Sequence, residues 1–381
     1  MFGKSVAAIT VSSSAVSAYI CKRGVNNTFE ISFCEESPYE GFSDGAFFDE
    51  DEFSYITVNL LKNLKENAKG RINKIYVGVP SAFIRIETKK LKKDFKKVKR
   101  IKYDDVVDLF DAGEEEISYN GFEVVMRSPV NFILDDNAIT FDPVGKRSSV
   151  LLGYLSYYLV SGYFTEKINK AAETVGIEEI SFVYDGFAEG AYLLGKSEKE
   201  IPSIIVDVGY ISTGTLLFRG RGVIAKDSCD FGDGYITASF VEKYSLSIEA
   251  AEALKRSVNL GLKGTSQEYY SVENEGTLIS FPVREVNSIV VERLDELSGN
   301  LDDFIEEISS KTKRAVSIYL TGSGLKYIRG AKEHISKRIC LPVDIIAPDL
   351  PTKGRIEDSL KFAVLDFALK DNEKNNENSI Y

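Results

Sequence analysis

Short apolar runs separated by polar turns open the chain: residues 6–10 read as a buried strand, 12–14 as a turn, 16–21 as a returning strand and 29–33 as a third. The same layout recurs at 204–209, where Ile-Ile-Val-Asp-Val-Gly leads into a polar turn at 210–215 and a second apolar run at 216–218. Two copies of one strand, turn, strand unit therefore frame the chain. Phe53, Ile56, Leu60 and Leu61 share one face at helical spacing and predict a helix over 52–68, and 74–79 is a strand closed by Pro80. Further helices are predicted over 165–175, 187–194, 247–255, 283–310 and 355–369, and another opens after Phe231-Gly-Asp-Gly234 with Ile236, Phe240 and Val241 on its apolar face. Strands are predicted at 180–183, 277–281, 317–320 and 343–346, a polar connection at 264–276, and a disordered polar tail at 371–381.

Between the two copies the texture changes, and residues 83–160 read as a separate small α+β subdomain. A short helix is predicted at 104–110 and strands at 121–130, 131–134, 138–141 and 149–159. Its most unusual stretch is 89–102, KKLKKDFKKVKRIK. Leu91, Phe95 and Val98 recur at helical spacing, while the alternation there is also compatible with a strand or hairpin, so both readings stay open. Lys89, Lys90, Lys92, Lys93, Lys96, Lys97, Lys99, Arg100 and Lys102 form a basic patch. It is either a solvated loop or a contact for an acidic partner or an anionic membrane.

Composition narrows the field. With 381 residues, two or more packed units are expected, and 28% charged with 44% hydrophobic residues is a globular balance. A formal net charge of -11 argues against nucleic acid as a partner, because phosphate binding depends on clustered cations. The 4 cysteines form no C-x-x-C pair, which removes a zinc knuckle or disulfide framework and points to a reducing cytoplasm. No apolar run reaches the roughly 18 residues of a membrane span, and no signal-peptide profile is present. The single histidine, His334, lies among charges without a partner for metal or nucleophile chemistry.

Two stretches suit an anionic ligand. Asp207-x-Gly209 ends a strand where the missing Cβ lets backbone N–H groups approach an anion. Thr321-Gly-Ser-Gly324 runs from a strand into a Gly-rich turn at a helix start.

The duplicated halves, Asp207-x-Gly209, the Gly232/Gly234 turn, the helix carrying Ala251-Glu-Ala-Leu-Lys255 with Gly261 beyond it, and Thr321-Gly-Ser-Gly324 together resemble the actin-like ATPase superfamily, and within it the FtsA family of bacterial division proteins. The insert ending in Asp142-Pro-Val-Gly145 is similar to the subdomain, 1C, that FtsA carries in place of an actin subdomain. The resemblance implies an α/β, duplicated actin-like (ribonuclease H-like) two-lobe fold. Residues 1–82 and 161–200 would form the first core subdomain, 83–160 the insert, 201–233 and 311–370 the second core subdomain, and 234–310 subdomain 2B. It implies ATP, with Mg²⁺, between the lobes. Ser12, Ser13 and Ser14 would line the first phosphate turn, and Asp207, Gly209, Ser212 and Thr213 the second. Gly232 and Gly234 would border the phosphates, Glu252 and Lys255 the ribose, and Gly322, Ser323 and Gly324 the adenosine. It further implies head-to-tail filaments, an FtsZ-like or other division protein as partner, with Arg284 and Arg293 on 2B pairing with an acidic peptide, and a location at the inner face of the membrane or the division site.

Several positions depart from that family's pattern. Thr10 and Ser12 stand where the first turn usually begins Asp-x-Gly, so the carboxylate that helps hold hydrated Mg²⁺ is missing. Tyr210 and Ile211 replace glycines of the second turn, and Gly214 an acidic residue. These changes predict weak or absent Mg-ATP hydrolysis, with the adenosine side better kept than the phosphate side. The tail has no apolar face for the family's membrane helix. The leading expectation is a non-hydrolysing FtsA-like adaptor; the others are a scaffold resembling the pilus protein PilM and an active ATPase or kinase of the same fold.

Overall fold

The structure is a computed structural model and describes residues 5–262, 265, 268–309, 316–350 and 355–374. In chain order its first part runs β1 (Val6–Val11), β2 (Ala15–Arg23), β3 (Phe29–Pro38), the two-residue strands β4 (Phe42–Ser43) and β5 (Ala46–Phe47), α1 (Glu50–Asn67) and β6 (Lys74–Val79). Every side chain of β1 is buried, as an apolar run covered on both faces requires. Asp49 sets the start of α1, its carboxylate accepting the N–H groups of Asp51 and Glu52 at 2.9 and 2.8 Å. The insert follows: β7 (Ile84–Arg100), α2 (Tyr103–Glu114), β8 (Phe122–Ile133), β9 (Ile139–Thr140) and β10 (Arg147–Ser161). The chain then returns through α3 (Gly162–Thr174), β11 (Glu179–Tyr184), α4 (Asp185–Leu193) and α5 (Lys196–Glu200).

The second half contains β12 (Ser203–Val208), β13 (Thr213–Arg219), β14 (Gly222–Cys229), α6 (Gly234–Tyr244), α7 (Ile248–Ser257), β15 (Tyr269–Asn274), β16 (Thr277–Pro282), α8 (Val283–Ile308), β17 (Ser317–Thr321), α9 (Ala331–Ile339), β18 (Val343–Ile345) and α10 (Ser359–Lys374). Its sheet has the order β14-β13-β12-β17-β18, and the first sheet the order β3-β2-β1-β6-β11. In each, a three-stranded antiparallel meander is extended by two parallel strands. The duplication read from the sequence is thus a duplication of topology, and the molecule has the actin-like two-lobe α/β fold.

Of the two readings left open for the basic block, the structure has the strand: residues 89–100 belong to β7, which pairs with β10 alone and so forms the edge of the sheet β7-β10-β8-β9. Three expectations are corrected. The predicted connection at 264–276 contains β15, whose only buried positions are Tyr270 and Val272, an alternation too sparse to stand out. The closing helix α10, assigned to the second core subdomain, packs on the first sheet, where Ala363, Val364, Leu365 and Ala368 meet Val6, Ala8 and Tyr76. Residues 371–374, read as disordered tail, continue that helix, and Tyr76 donates its phenol O–H to Asp371 at 2.8 Å. The rest of the tail, 375–381, lies outside the described residues.

The described residues of 234–309 share one continuous core with the second sheet, in which Phe240, Leu254, Val290 and Leu297 join Ile204 and Val206. The insert has its own core, built by Leu109 and Phe110 of α2 against Leu155 and Tyr157 of β10. No helix among the described residues is long and apolar enough to cross a membrane.

Candidate functional site

The two hairpin turns face each other across the lobes. In the first, Ser12 Oγ accepts the Ala15 N–H and donates to the Ala15 carbonyl, both at 3.0 Å, so the turn is tied to itself. Ser13 reaches across instead, and its Oγ accepts the Ile211 N–H at 3.0 Å. Ile211 also places its side chain against Gly41, where a Cβ would lie 2.7 Å from Ile211 Cδ1. Two further bonds join the lobes nearby, from Ser43 Oγ to Asp230 at 2.6 Å and from Lys226 Nζ to the Ser81 carbonyl at 2.7 Å.

The second turn is closed by its neighbours. Gly209 N–H donates to the Ser212 carbonyl at 3.0 Å, Asp233 N–H to the Gly209 carbonyl at 3.1 Å, and Gly234 N–H to the Tyr210 carbonyl at 2.8 Å. Thr213 Oγ1 donates to the Phe231 carbonyl at 2.6 Å. Gly232 lies directly on the Tyr210 carbonyl, 2.3 Å from where its Cβ would be. From the other side Gly322, at φ +86°, lies against Asp207 Oδ1, and Gly324 N–H donates to the Val208 carbonyl at 2.8 Å.

Glu252 and Lys255, expected at a ribose, are engaged with each other. Lys255 Nζ is buried 2.6 Å from Asp233 Oδ2 and 2.8 Å from Glu252 Oε1, and lies 5.3 Å from the centre of the Tyr210 ring. Thr237 Oγ1 donates to the same Glu252 oxygen. Burial pushes the Asp233 carboxyl up to about 6, with Lys255 opposing the shift.

The open part of the cleft, about 440 Å³, is lined by Ser12, Ser13, Ser14, Asp207, Gly209, Ser212, Thr213, Gly322 and Ser323. The other expected residues, Gly232, Gly234, Glu252, Lys255 and Gly324, lie off it. Among the described residues, no group of three or more His, Cys, Asp or Glu side chains is placed to hold a metal ion. The Gly209 N–H is bonded within the second turn, the Ile211 N–H to Ser13 of the other lobe, and the Glu252–Lys255 pair is closed, so these groups as arranged are not free to hold a nucleoside triphosphate.

No family model matches the chain. It is 22% identical over 263 residues to the cell division protein FtsA of Buchnera aphidicola subsp. Baizongia pistaciae, covering 62% of each chain. To FtsA of Bacillus subtilis it is 25% identical over 287 residues, covering 72% of this chain and 62% of that one. Among solved structures, it is similar to the PilM–PilN type IV pilus biogenesis complex, with a TM-score of 0.61 at 13% identity over 96% of this chain and 98% of the other. The chain is FtsA-like, with the actin fold. Its match spans about three fifths of the length of these FtsA relatives. MreB5 of Spiroplasma citri bound to ADP is similar at a TM-score of 0.55 and 11% identity over 98% of this chain and 99% of that one.

In this FtsA-like chain the floor of the cleft holds residues that sequence reasoning passed over. Asp185 and Glu189 sit one turn apart on α4 and line the cleft with Asp207. Burial raises all three carboxyls, Asp207 to about 6 and the other two well above their ordinary range, with repulsion from Asp207 adding to both. Two carboxylates at i, i+4 on an otherwise apolar helix were the available signal.

The structure does not bring Arg284 and Arg293 together. Both lie on α8, nine residues apart, which puts them on opposite sides of the helix, and Arg293 is held by Glu296 at 2.9 Å. The basic patch is also divided. Lys89 donates to the Glu116 carbonyl, Lys92 pairs with Asp94, and Lys93 and Lys99 with Asp105. Lys90 lies over Tyr154, Arg100 donates to the Gly145 carbonyl, and Lys102 precedes α2. Lys96 and Lys97 are exposed and make no ion pair among the described residues.

Proposed function

We propose that this chain is a non-hydrolysing FtsA-like adaptor, working through protein contacts rather than through turnover of ATP. The observation that carries this reading is the occupation of the phosphate side by the chain's own Tyr210–Ile211 turn, latched to Ser13 of the opposite lobe. A closed interlobe state is then held by protein groups in place of a ligand. Isothermal titration with Mg-ATP, followed by phosphate-release assays, tests it. The expected result is weak or no binding and no significant turnover. Turnover at ordinary ATPase rates, abolished by Asp207→Ala, would sink the reading.

As an adaptor of this kind, the chain associates head to tail into filaments or short oligomers. It binds an FtsZ-like or other division protein through the 234–310 region. Membrane contact at the division site runs through the exposed cations of β7 that make no ion pair among the described residues, Lys90, Lys96 and Lys97, each contributing up to about 1 kcal/mol at an anionic surface. In liposome flotation, binding to anionic vesicles should be lost when those three become Glu. A PilM-like scaffold role is the second reading, supported by the whole-length match to that layout against the partial span of the FtsA relatives. Its partner would be a protein resembling the PilN of that complex.

A further inference from the structure

We propose that the outer face of the insert's sheet docks an acidic amphipathic helix of a partner protein. This extends the adaptor reading to a protein contact away from both the cleft and the 234–310 region.

One face of that sheet is already covered by such a helix. Leu91, Gly153, Phe132 and Thr140 stand in register across the four strands and belong to the inner face. α2 lies directly on it, since a Cβ on Gly153 would be 2.7 Å from Leu109 Cδ2. Val106, Leu109 and Phe110 of α2 close the insert's core, and the acids of the same helix meet cations of β7. Lys93 pairs with Asp108 at 2.6 Å and with Asp105 at 3.3 Å, and Lys99 with Asp105 at 2.7 Å. Covering this face thus takes an apolar stripe and acids one helical turn apart.

The outer face repeats that chemistry without a cover. One residue along each strand, Lys92, Leu152, Ile133 and Ile139 stand in register across the same four strands, and Lys90 is beside Tyr154 in the next row. Towards β14 the face is sealed by the second lobe, where Ser156 Oγ donates to the Val223 carbonyl at 2.7 Å. Beyond that contact Leu152, Ile133 and Ile139 join none of the hydrophobic cores formed by the described residues, and Ile139 is 59% exposed. Lys90, Lys92 and Lys96 are exposed along the neighbouring edge strand. Lys96 makes no ion pair among the described residues, and Lys92 makes a surface pair with Asp94 at 2.8 Å that is readily exchanged.

An apolar strip bordered by cations is complementary to a helix whose apolar positions at i, i+3 and i+4 are flanked by acids. Leu152 and Ile133 are half-buried, and Ile139 alone of the three projects far from the sheet, so the strip suits a packed cover better than insertion into lipid.

The probe is a synthetic peptide copying residues 101–116, the chain's own acidic helix, added to the whole chain and followed by fluorescence anisotropy. Saturable binding is expected. It should weaken at least about tenfold in Ile139→Glu, and likewise in Lys90→Glu combined with Lys92→Glu, with circular dichroism unchanged in both. A peptide in which every Asp and Glu is replaced by Lys should not bind. No saturable binding of the acidic peptide overturns the proposal. So does binding untouched by the outer-face variants, because the peptide would then be displacing α2 from the inner face. The same variants test two other covers. Loss of flotation onto phosphatidylglycerol vesicles in Ile139→Glu would assign the face to lipid, and conversion of a wild-type oligomer to monomer in sedimentation would assign it to a second copy; either result overturns the proposal. The adaptor reading is decided separately, by Mg-ATP binding and turnover of the wild type.

Discussion

In the first hairpin the turn folds back on its own chain, Ser12 satisfying Ala15 from both sides, and its three serines stay at the edge of an open cleft. In the second the acid and glycine of the motif are kept, but the turn is bonded by Ser212, Asp233 and Gly234 of its own lobe and by Ser13 of the other. One copy thus retains space without the carboxylate at Thr10, and the other retains Asp207 without space. The topology can be duplicated faithfully while each copy loses a different half of the chemistry, because strand pairing depends on the backbone and the site on a few side chains. Neither turn by itself reveals this. The two have to be set side by side.

The contrast is most exposed at Lys255. Truncation by Lys255→Ala leaves Asp233 and Glu252 facing each other beside the second turn, and should cost about 3–5 kcal/mol in urea unfolding. A loss below about 1 kcal/mol would mean that the buried network does not support that turn.

A second test uses pH. The Asp207 carboxyl rises on folding from 3.8 to about 6, so the native state holds its proton more tightly than the unfolded chain. The stability linked to this group is fully present below the unfolded value and is lost as pH rises through about 6, by on the order of 2–3 kcal/mol. Asp207→Asn should therefore gain on the wild type in urea midpoints taken from pH 4 to pH 7. A difference that stays flat or runs the other way would show that the carboxyl is not held in this buried setting.

The smallest expected effect separates the two turns directly. Ser13→Ala removes the acceptor for Ile211 N–H and should cost about 1 kcal/mol, while increasing amide exchange at Ile211. Ser12→Ala should cost a similar amount but leave Ile211 protected. If both variants deprotect Ile211 equally, the latch between the lobes is not specific to Ser13.

Much of the fold was legible because it is written in local patterns. The apolar runs at Val6 and Ile204, each closed by a polar turn, mark the hairpins that the two sheets share. The basic block was ambiguous for a physical reason: an edge strand has one side without a partner strand, so cations are tolerated along β7 and mask the two-residue period, while Leu91, Phe95 and Val98 happen to keep helical spacing. The placement of α10 had no local signal at all, since Val364 and Leu365 look the same to the sequence whichever sheet they cover. At the site, the residue types around Asp207 and Gly209 were readable. That Lys255 and Glu252 spend their charges on Asp233 and Thr237, and that Glu189 points into the cleft, depends on contacts between elements far apart in the chain.

The return of α10 to the first sheet also orders events during synthesis. Val6, Ala8 and Tyr76 are made early, yet the helix that covers them starts at Ser359, roughly 280 residues after β6 ends. At translation speeds of about 5–20 residues per second, that face of the nascent sheet waits on the order of a quarter of a minute to a minute for its cover. The first lobe is therefore the first to begin folding and among the last to finish, and its half-built surface is where a chaperone would act on this chain.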